Sequence, residues 1–240
     1  MSDLHTPAPE QLRLSDLHAF YGESHILHGV DMKVQRGELV TLLGRNGSGR
    51  STILKSIMGM VGRRTGSIMV NGKETTHLPA FHIPRLGAGY CPEERGIFAS
   101  LDVEENLLLP PTVRSGGMSL DEIYAMFPNL YERRRSQGTR LSGGEQQMLA
   151  MARILRSGAN LLLLDEITEG LAPVIVQKLA EVLLKLKEKG LTIILVEQNF
   201  RFAAPLADRH YLIEHGQIIE EISATELPGQ MDLLHRQLGV

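Results

Sequence analysis

A glycine-rich stretch between two apolar runs has the residue types of a phosphate-binding loop. It extends from Gly44 to Thr52, after the run 39–43 and before a run whose apolar residues recur at helical spacing. Valine and leucine dominate the first run, as in a strand that is buried on both faces. Glycines in such a turn let backbone N–H groups surround phosphate oxygens, and the helix N-terminus adds positive potential. The stretch therefore predicts a phosphate site, with Ser51 as a hydroxyl ligand for Mg²⁺.

This loop departs from the usual pattern at one position, where Arg50 replaces a lysine. The residues predicted to surround the phosphates are Gly44, Arg45, Asn46, Gly47, Ser48, Gly49, Arg50, Ser51 and Thr52. Arginine keeps the charge but is planar, larger and suited to bidentate contacts. If Arg50 does not fit, each charge-assisted hydrogen bond that is lost would cost roughly 1.5–3 kcal/mol. Small neighbours at positions 48 and 49 leave room, so we expect binding to persist and any loss to fall on hydrolysis.

Acidic and amide side chains follow three further predicted strands. Asp165 and Glu166 end the apolar run 161–164, while Glu93 and Gln198 come just past two other strands. Because ligands bind at the carboxyl ends of strands in open α/β sheets, we expect these side chains on one rim. An aspartate there can hold Mg²⁺, and a neighbouring glutamate can orient an attacking water molecule.

A second candidate phosphate-binding surface opens a predicted helix capped by Ser142. Leu141 precedes the cap, Gly143 and Gly144 form the first turn, and Glu145 completes a capping box. Free N–H groups and a hydroxyl at a helix start can bind phosphate. The sequence thus contains two phosphate-binding elements that are far apart along the chain.

Composition and element order indicate one α/β protein. The 240 residues are 42% hydrophobic and 22% charged, with a net charge of −3, which argues against general nucleic-acid binding. No apolar run approaches the roughly 20 residues of a membrane-spanning helix. Strand patterns in 12–43 and an expected edge strand at 67–71 favour an antiparallel layer beside a parallel core. Helical signals fill 101–158, and the α/β pattern resumes at 159.

Taken together, these motifs resemble the ATP-binding subunits of ABC transporters, in particular importers of branched-chain and other hydrophobic amino acids. The resemblance covers about 12–238. It identifies 44–52 as Walker A, Leu141–Glu145 as the signature with Glu in place of the final Gln, and Leu161–Asp165 as Walker B. It implies a single domain with a RecA-like P-loop NTPase core, a flanking antiparallel β layer and an inserted helical subdomain at about 101–158. The core and β layer would occupy about 12–100 and 159–238.

The resemblance also implies ATP and Mg²⁺ as cofactors and assigns residue roles. Glu166 falls on the catalytic carboxylate, Gln198 on the position of the switch histidine, and Tyr21 on the aromatic residue that stacks on adenine. Glu93 falls where most of the superfamily has the Q-loop glutamine. This replacement, and that of the switch histidine by Gln198, are familiar in the amino acid importer branch. The implied metal ligands are Ser51, Glu93 and Asp165.

The partners implied by the resemblance are a second ATPase subunit and integral membrane permease subunits. The ATPase subunits, identical or not, would pack head to tail, so that each signature completes the other's site. The permease would dock near 93–101, with Ile97, Phe98 and Leu101 partly exposed. We expect a cytoplasmic location on the inner face of the cell membrane, without insertion into the membrane and without a nucleic-acid partner.

Arg50 leaves one alternative open, which is a nucleotide-gated structural partner with degenerate hydrolysis that leaves catalysis to a paralogue. Glu166 argues against it, since a retired site does not need that carboxylate. A soluble ABC protein acting on ribosomes or DNA usually has two cassettes or long coiled-coil insertions. A P-loop kinase or GTPase does not explain the motif at 141–145.

Overall fold

The computed structural model describes residues 9–231 and residue 234. The strands are β1 (Glu10–Tyr21), β2 (Ser24–Gln35), β3 (Leu39–Leu43), β4 (Arg63–Val70), β5 (Lys73–Glu74), β6 (Ala88–Cys91), β7 (Leu161–Asp165), β8 (Thr192–Val196), β9 (Arg209–Glu214) and β10 (Gln217–Ser223). The α-helices are α1 (Arg50–Ile57), α2 (Val103–Leu108), α3 (Leu120–Met126), α4 (Pro128–Glu132), α5 (Gly143–Arg156), α6 (Pro173–Glu188) and α7 (Phe200–Ala203). The expected core range ends at 238, and its residues 232, 233 and 235–238 lie outside the described part. Among the described helices, none combines the length and the apolar character needed to cross a bilayer.

A six-stranded sheet of order β10-β9-β3-β8-β7-β6 positions the candidate residues. β3 pairs in parallel with β8 and β9, and β7 pairs in parallel with β6 and β8. Along β3, Leu39 and Leu43 join one core cluster, whereas Val40 and Leu42 join the other. This alternation places apolar side chains on both faces of the sheet, which explains the unbroken apolar run. Because these strands are parallel, the residues that follow β3, β6, β7 and β8 all lie at the carboxyl ends of the strands, on one side of the sheet.

An antiparallel sheet of order β2-β1-β4-β5 covers one face of this core. Its buried side chains, such as Leu14 and Met32, form a cluster with Ile53 of α1. The segment 67–71 is not the edge strand that we expected, because β4 lies between β1 and β5. The two-residue strand β5 takes the edge instead, and it is too short to produce a periodic pattern in the sequence.

Capped helices fill the segment between residues 101 and 158. The capping boxes predicted at Ser119 and Ser142 are present, and a third, which the sequence analysis did not single out, begins at Asp102. The buried side of α5 packs in the same core cluster as β7 and α6. The fold is therefore α/β with an antiparallel layer and an inserted helical segment, as expected, while the division into subdomains at these positions stays a prediction.

The turn between β9 and β10 joins the antiparallel layer to the glycine-rich loop. The backbone N–H of Gly216 donates to the carbonyl oxygen of Ser48 at 2.8 Å, and the N–H of His28 donates to the carbonyl of Gly216 at 2.9 Å. Gly216 has a φ of +75°, and a Cβ atom there would collide with the carbonyl oxygen of Ile26. Only glycine meets both conditions at this junction.

Candidate functional site

The loop that joins β3 to α1 follows a course that requires glycine at two positions. Gly49 has a φ of +108°, and an added Cβ atom would lie 2.9 Å from Cδ2 of Leu27 in β2. A Cβ atom at Gly44 would collide with the carbonyl oxygen of Ile213 in β9. Since side chains at these positions would clash or strain the backbone, the loop can lie tight against both sheets only with glycine there.

The loop forms one wall of a cleft of about 420 Å³. The cleft is lined by Tyr21, Ile26, Asn46, Gly47, Ser48, Gly49, Arg50, Ser51, Thr52, Glu93, Glu166, Glu169 and Gln198. Tyr21 stands at the end of β1 with 45% of its surface exposed, so its ring is open to a ligand. The structure thus brings together most of the residues that the sequence analysis singled out, from five separate parts of the chain.

Other predicted residues lie outside this cleft. Gly44 is the first residue of the loop, directly after β3, and Arg45 lines a neighbouring cavity beside β9. Asp165 lies beneath the cleft and is only 2% exposed. The segment Leu141–Glu145 does not line the cleft at all.

Ser51 and Asp165 provide a pair of oxygen ligands at the base of the cleft. The Ser51 hydroxyl donates to Oδ1 of Asp165 at 2.9 Å, and the Tyr90 hydroxyl donates to Oδ2 at 2.9 Å. Burial raises the pKa of Tyr90, and the Asp165 carboxylate adds to the effect, so this hydroxyl keeps its proton. Hydroxyl and carboxylate oxygens are the ligands that Mg²⁺ prefers. The donor set therefore fits the expected metal, and Tyr90, which the sequence analysis did not single out, orients its carboxylate.

Glu93 approaches the same region from the end of β6. A carboxylate oxygen of Glu93 lies within 4.8 Å of oxygens of Glu166 and Glu169. Burial raises the pKa of Glu93, and the neighbouring carboxylates of Glu169 and Glu166 raise it further. The contact places Glu93 beside the other acidic groups, while its role as a metal ligand stays a prediction.

The Glu166 carboxylate is held at both of its oxygens. Nη2 of Arg50 donates to Oε1 at 3.0 Å, and Nε2 of Gln198 donates to Oε2 at 2.7 Å. The backbone of Glu166 adopts a φ of +46°, which is uncommon for a residue with a side chain. The residue following Walker B is therefore fixed in direction, and the two residues that hold it come from the loop and from the end of β8.

Arg50 is directed at protein acceptors in this structure. Its guanidinium donates to the backbone oxygen of Glu197 at 2.9 Å and to Oδ1 of Asn46 at 3.2 Å, in addition to Glu166. The residue is only 4% exposed. Burial lowers the pKa of Arg50, and the carboxylates of Glu166, Asp165 and Glu197 oppose this. A planar fork of donors allows all three contacts, and the assignment of Arg50 to nucleotide phosphates stays a prediction.

Glu197 is a buried acid that no sequence motif singles out. It is 3% exposed, and its carboxylate accepts hydrogen bonds from the backbone N–H of Thr168 at 3.0 Å and from the Thr168 hydroxyl at 2.9 Å. Burial raises the pKa of Glu197 to about 7, although the bonds from Thr168 lower it. In the sequence, Glu197 is recognisable only as a polar residue after a buried strand. Gln198 has the same property, so position alone does not distinguish the two residues.

The capping box predicted at Ser142 is present, and it lies elsewhere on the surface, while phosphate binding there stays a prediction. The backbone N–H of Ser142 donates to Oε2 of Glu145 at 2.7 Å, and the N–H of Glu145 donates to the Ser142 hydroxyl at 3.3 Å. Arg133 lies 3.5 Å from the other carboxylate oxygen of Glu145. Ser142 and Glu145 line a separate surface cavity beside Val174. One chain therefore does not bring the glycine-rich loop and the segment 141–145 to one cleft.

A glycine-rich loop between a central parallel strand and a helix, with the Ser51–Asp165 pair at its base and the Glu166 carboxylate opposite, is the arrangement of a P-loop nucleoside triphosphatase. The fold matches a solved ATP-binding cassette, a dimer in a post-hydrolysis state bound to ADP and Pi. The TM-score is 0.77 at 24% identity, over 89% of this chain and 98% of that one. Residues 27–169 match the family model described as ABC transporter. The chain belongs to the ABC transporter family.

Two curated relatives extend the match over most of the chain. The high-affinity branched-chain amino acid transport ATP-binding protein BraG of Pseudomonas aeruginosa is 41% identical, over 87% of this chain and 91% of the relative. The probable branched-chain amino acid transport ATP-binding protein LivF of Archaeoglobus fulgidus is 40% identical, over 90% and 93%. These matches confirm the predicted family resemblance. They also confirm the predicted fold class and the prediction that the chain is an ATPase. These relatives do not favour the degenerate alternative.

Proposed function

We propose that the chain binds and hydrolyses ATP with Mg²⁺ to energise a membrane importer of branched-chain or other hydrophobic amino acids. The observation that carries the ATPase proposal is that Ser51 and Glu166 line one cleft beside the glycine-rich loop, with Asp165 hydrogen-bonded to Ser51 beneath it. The substrate class rests on BraG and LivF, whose names state branched-chain amino acid transport.

In this proposal each residue at the cleft has a separate task. The loop N–H groups hold the phosphates, and Tyr21 stacks on the base. Ser51 and Asp165 would hold Mg²⁺, which would supply positive charge to offset that of the phosphates. Glu166 orients the attacking water, and Gln198 keeps the carboxylate in place.

In this proposal Arg50 controls when the Glu166 carboxylate can bind the attacking water. Its guanidinium donates to Oε1 of Glu166, and we infer that this oxygen accepts a hydrogen bond from the attacking water. The phosphates of an incoming nucleotide offer Arg50 stronger, more highly charged acceptors in the same cleft. We therefore infer that Arg50 moves from Glu166 to phosphate before hydrolysis, and that this exchange slows each turnover.

A second ATPase subunit would complete the site. The segment Leu141–Glu145 is absent from the lining of the cleft, and we infer that it binds a nucleotide held by another subunit. The Ser142 oxygen accepts a bond from the N–H of Glu145, which leaves the hydroxyl proton to donate to a γ-phosphate. Head-to-tail packing would bring each signature to the other subunit's cleft, and the solved cassette that shares this fold is a dimer.

The permease would dock in a groove of about 810 Å³ between the core and the inserted helices. Its apolar lining includes Met60, Phe81, Pro84, Tyr90, Pro110 and Val113. Its charged lining residues are Lys55, Arg85, Arg95, Arg153 and, with the opposite sign, Glu94. Such a lining suits an apolar segment that carries acidic residues. Docking there would hold the chain on the inner face of the cell membrane.

This groove only partly overlaps the docking region expected at 93–101. Glu94, Arg95 and Gly96 line it, whereas Phe98 lies outside it. The guanidinium carbon of Arg153 lies 4.8 Å from the centre of the Phe98 ring, so this ring is partly covered by the chain itself. We accordingly place the docking surface around Phe81, which is 65% exposed, rather than around Phe98.

Steady-state ATP hydrolysis by the purified chain and by Glu166→Gln tests the ATPase proposal, with ATP binding measured in parallel. The variant should lose roughly a hundredfold or more in kcat, since general-base groups contribute 10²–10⁴-fold. Glu132→Gln, an exposed glutamate on α4, is the matched control and should not change kcat. Binding of ATP without turnover in the unmodified chain would instead favour the nucleotide-gated structural partner.

A further inference from the structure

The segments that follow β7 and β8 are joined to each other by hydrogen bonds just beyond the carboxyl ends of the two strands. The backbone N–H of Glu166 donates to the carbonyl oxygen of Val196 at 2.9 Å. Two residues after Glu166, the Thr168 N–H and hydroxyl both donate to the carboxylate of Glu197, the residue directly after Val196. Gln198, the next residue, donates to Glu166. The direction of the Glu166 carboxylate therefore depends on how these two segments are joined.

Glu197 is the residue through which most of these contacts pass. Its side chain binds Thr168, its backbone oxygen accepts from Arg50 at 2.9 Å, and its peptide bond leads to Gln198. The side chain is 3% exposed and does not line the nucleotide cleft. A buried carboxyl group is costly unless its hydrogen bonds are satisfied, and here both oxygens have a donor from one residue.

We propose that Glu197 is a positioning residue for ATP hydrolysis, which fixes Glu166 and Gln198 by joining their two segments through Thr168. The inference rests on the ATPase function proposed above. Because Glu197 does not touch the cleft, its loss should lower kcat and leave the affinity for ATP unchanged. A residue that only stabilises the fold would lower the unfolding temperature without this selective effect on kcat.

The test uses matched variants on both sides of the contact. Glu197→Gln preserves the geometry, because its amide oxygen can accept from the Thr168 N–H while its amide nitrogen donates to the hydroxyl. Thr168→Ser also keeps both bonds. Glu197→Ala removes both, and Thr168→Val removes only the one from the hydroxyl. The readouts are kcat, the KM for ATP and the unfolding temperature of each purified chain.

We expect Glu197→Gln and Thr168→Ser to stay within about twofold of the unmodified kcat. Thr168→Val should lose about fivefold and Glu197→Ala about tenfold or more, as expected for one or two hydrogen bonds of about 1 kcal/mol each. The KM for ATP should change less than about twofold throughout. The double variant should lose no more than Glu197→Ala alone, because both changes break the same contact.

Several results would overturn this inference. These are an unchanged kcat in folded Glu197→Ala or Thr168→Val, equal losses in Glu197→Ala and Glu197→Gln, or a KM that rises as much as kcat falls. If Glu197→Ala does not fold, Thr168→Val and the two conservative variants still decide the question. An inactive unmodified chain would overturn the ATPase function together with the inference. An active unmodified chain with an inactive Glu166→Gln variant and a normal Glu197→Ala variant would overturn only the inference.

Discussion

Replacing Arg50 with lysine is expected to raise the rate of ATP turnover. The guanidinium and the Glu166 carboxylate are 3.0 Å apart, with only 4% and 11% of their side chains exposed, so solvent screens the pair weakly. A hydrogen bond between charged groups of this kind contributes roughly 1.5–3 kcal/mol. If it must break after ATP has bound, the substitution should raise kcat by up to about ten- to a hundredfold, the upper limit that applies when no new phosphate contact offsets the loss, since 1.4 kcal/mol corresponds to tenfold.

Lysine suits this test because it keeps the charge but has a single donor atom. An ammonium group can reach phosphate or Glu166, but it cannot contact Glu166, Asn46 and the Glu197 backbone oxygen together as Arg50 does. The assay is steady-state hydrolysis over a range of ATP concentrations, which separates kcat from KM. Arg13→Lys, at the surface pair with Glu10, is the matched control and should leave both constants unchanged.

The reasoning would be refuted if Arg50→Lys left kcat within twofold of the unmodified chain or lowered it. Such a result would mean that the Arg50–Glu166 contact does not limit turnover. A second check combines Arg50→Lys with Glu166→Gln. If lysine acts by releasing the carboxylate, it should produce no gain once that carboxylate is replaced.

Three further results are expected from other parts of the chain. Because burial raises the pKa of Glu197 from 4.5 to about 7, stability should fall as the pH rises through this interval. Thermal unfolding from pH 4 to pH 8 should show a loss on the order of 3 kcal/mol, which Glu197→Gln removes; an equal loss in that variant would exclude Glu197 as the source. Ser142→Ala should weaken ATP-dependent dimer formation in size-exclusion chromatography, whereas Ser119→Ala, which removes an equivalent cap, should lower only stability, by about 1 kcal/mol. Phe81→Asp should abolish transport in reconstituted vesicles while basal hydrolysis persists, and Phe98→Asp should have the smaller effect; the reverse order would return docking to 93–101.

Much of the fold and the cleft could be predicted because the relevant signals are local. An unbroken apolar run before Gly44 predicts a strand buried on both faces, and β3 is that strand. Polar residues directly after such runs predict the sheet edge, and Asp165, Glu166 and Gln198 meet there. The capping box at Ser142 likewise depends on residues only three positions apart.

The remaining features depend on contacts between distant segments. Arg50 contacts Glu166 only because the loop after β3 lies opposite the ends of β7 and β8, and its residue type alone pointed to phosphate. Tyr90 looks like an ordinary strand residue until β6 pairs with β7 and places its hydroxyl on Asp165. Periodicity and spacing along one chain do not encode such cross-strand partners, so these contacts could not be predicted.

The junction at Gly216 also means that the glycine-rich loop gains its neighbours only after much more of the chain has been synthesised. The glycine-rich loop follows β3, which is held between β8 and β9, and the carbonyl of Ser48 is bound by the N–H of Gly216. All of these partners come after the loop in the sequence and leave the ribosome later than it does. Contacts between residues so distant in sequence form late and slow folding. A nascent chain that stops before β8 therefore has the complete Walker A sequence but lacks the neighbours that give the loop its shape.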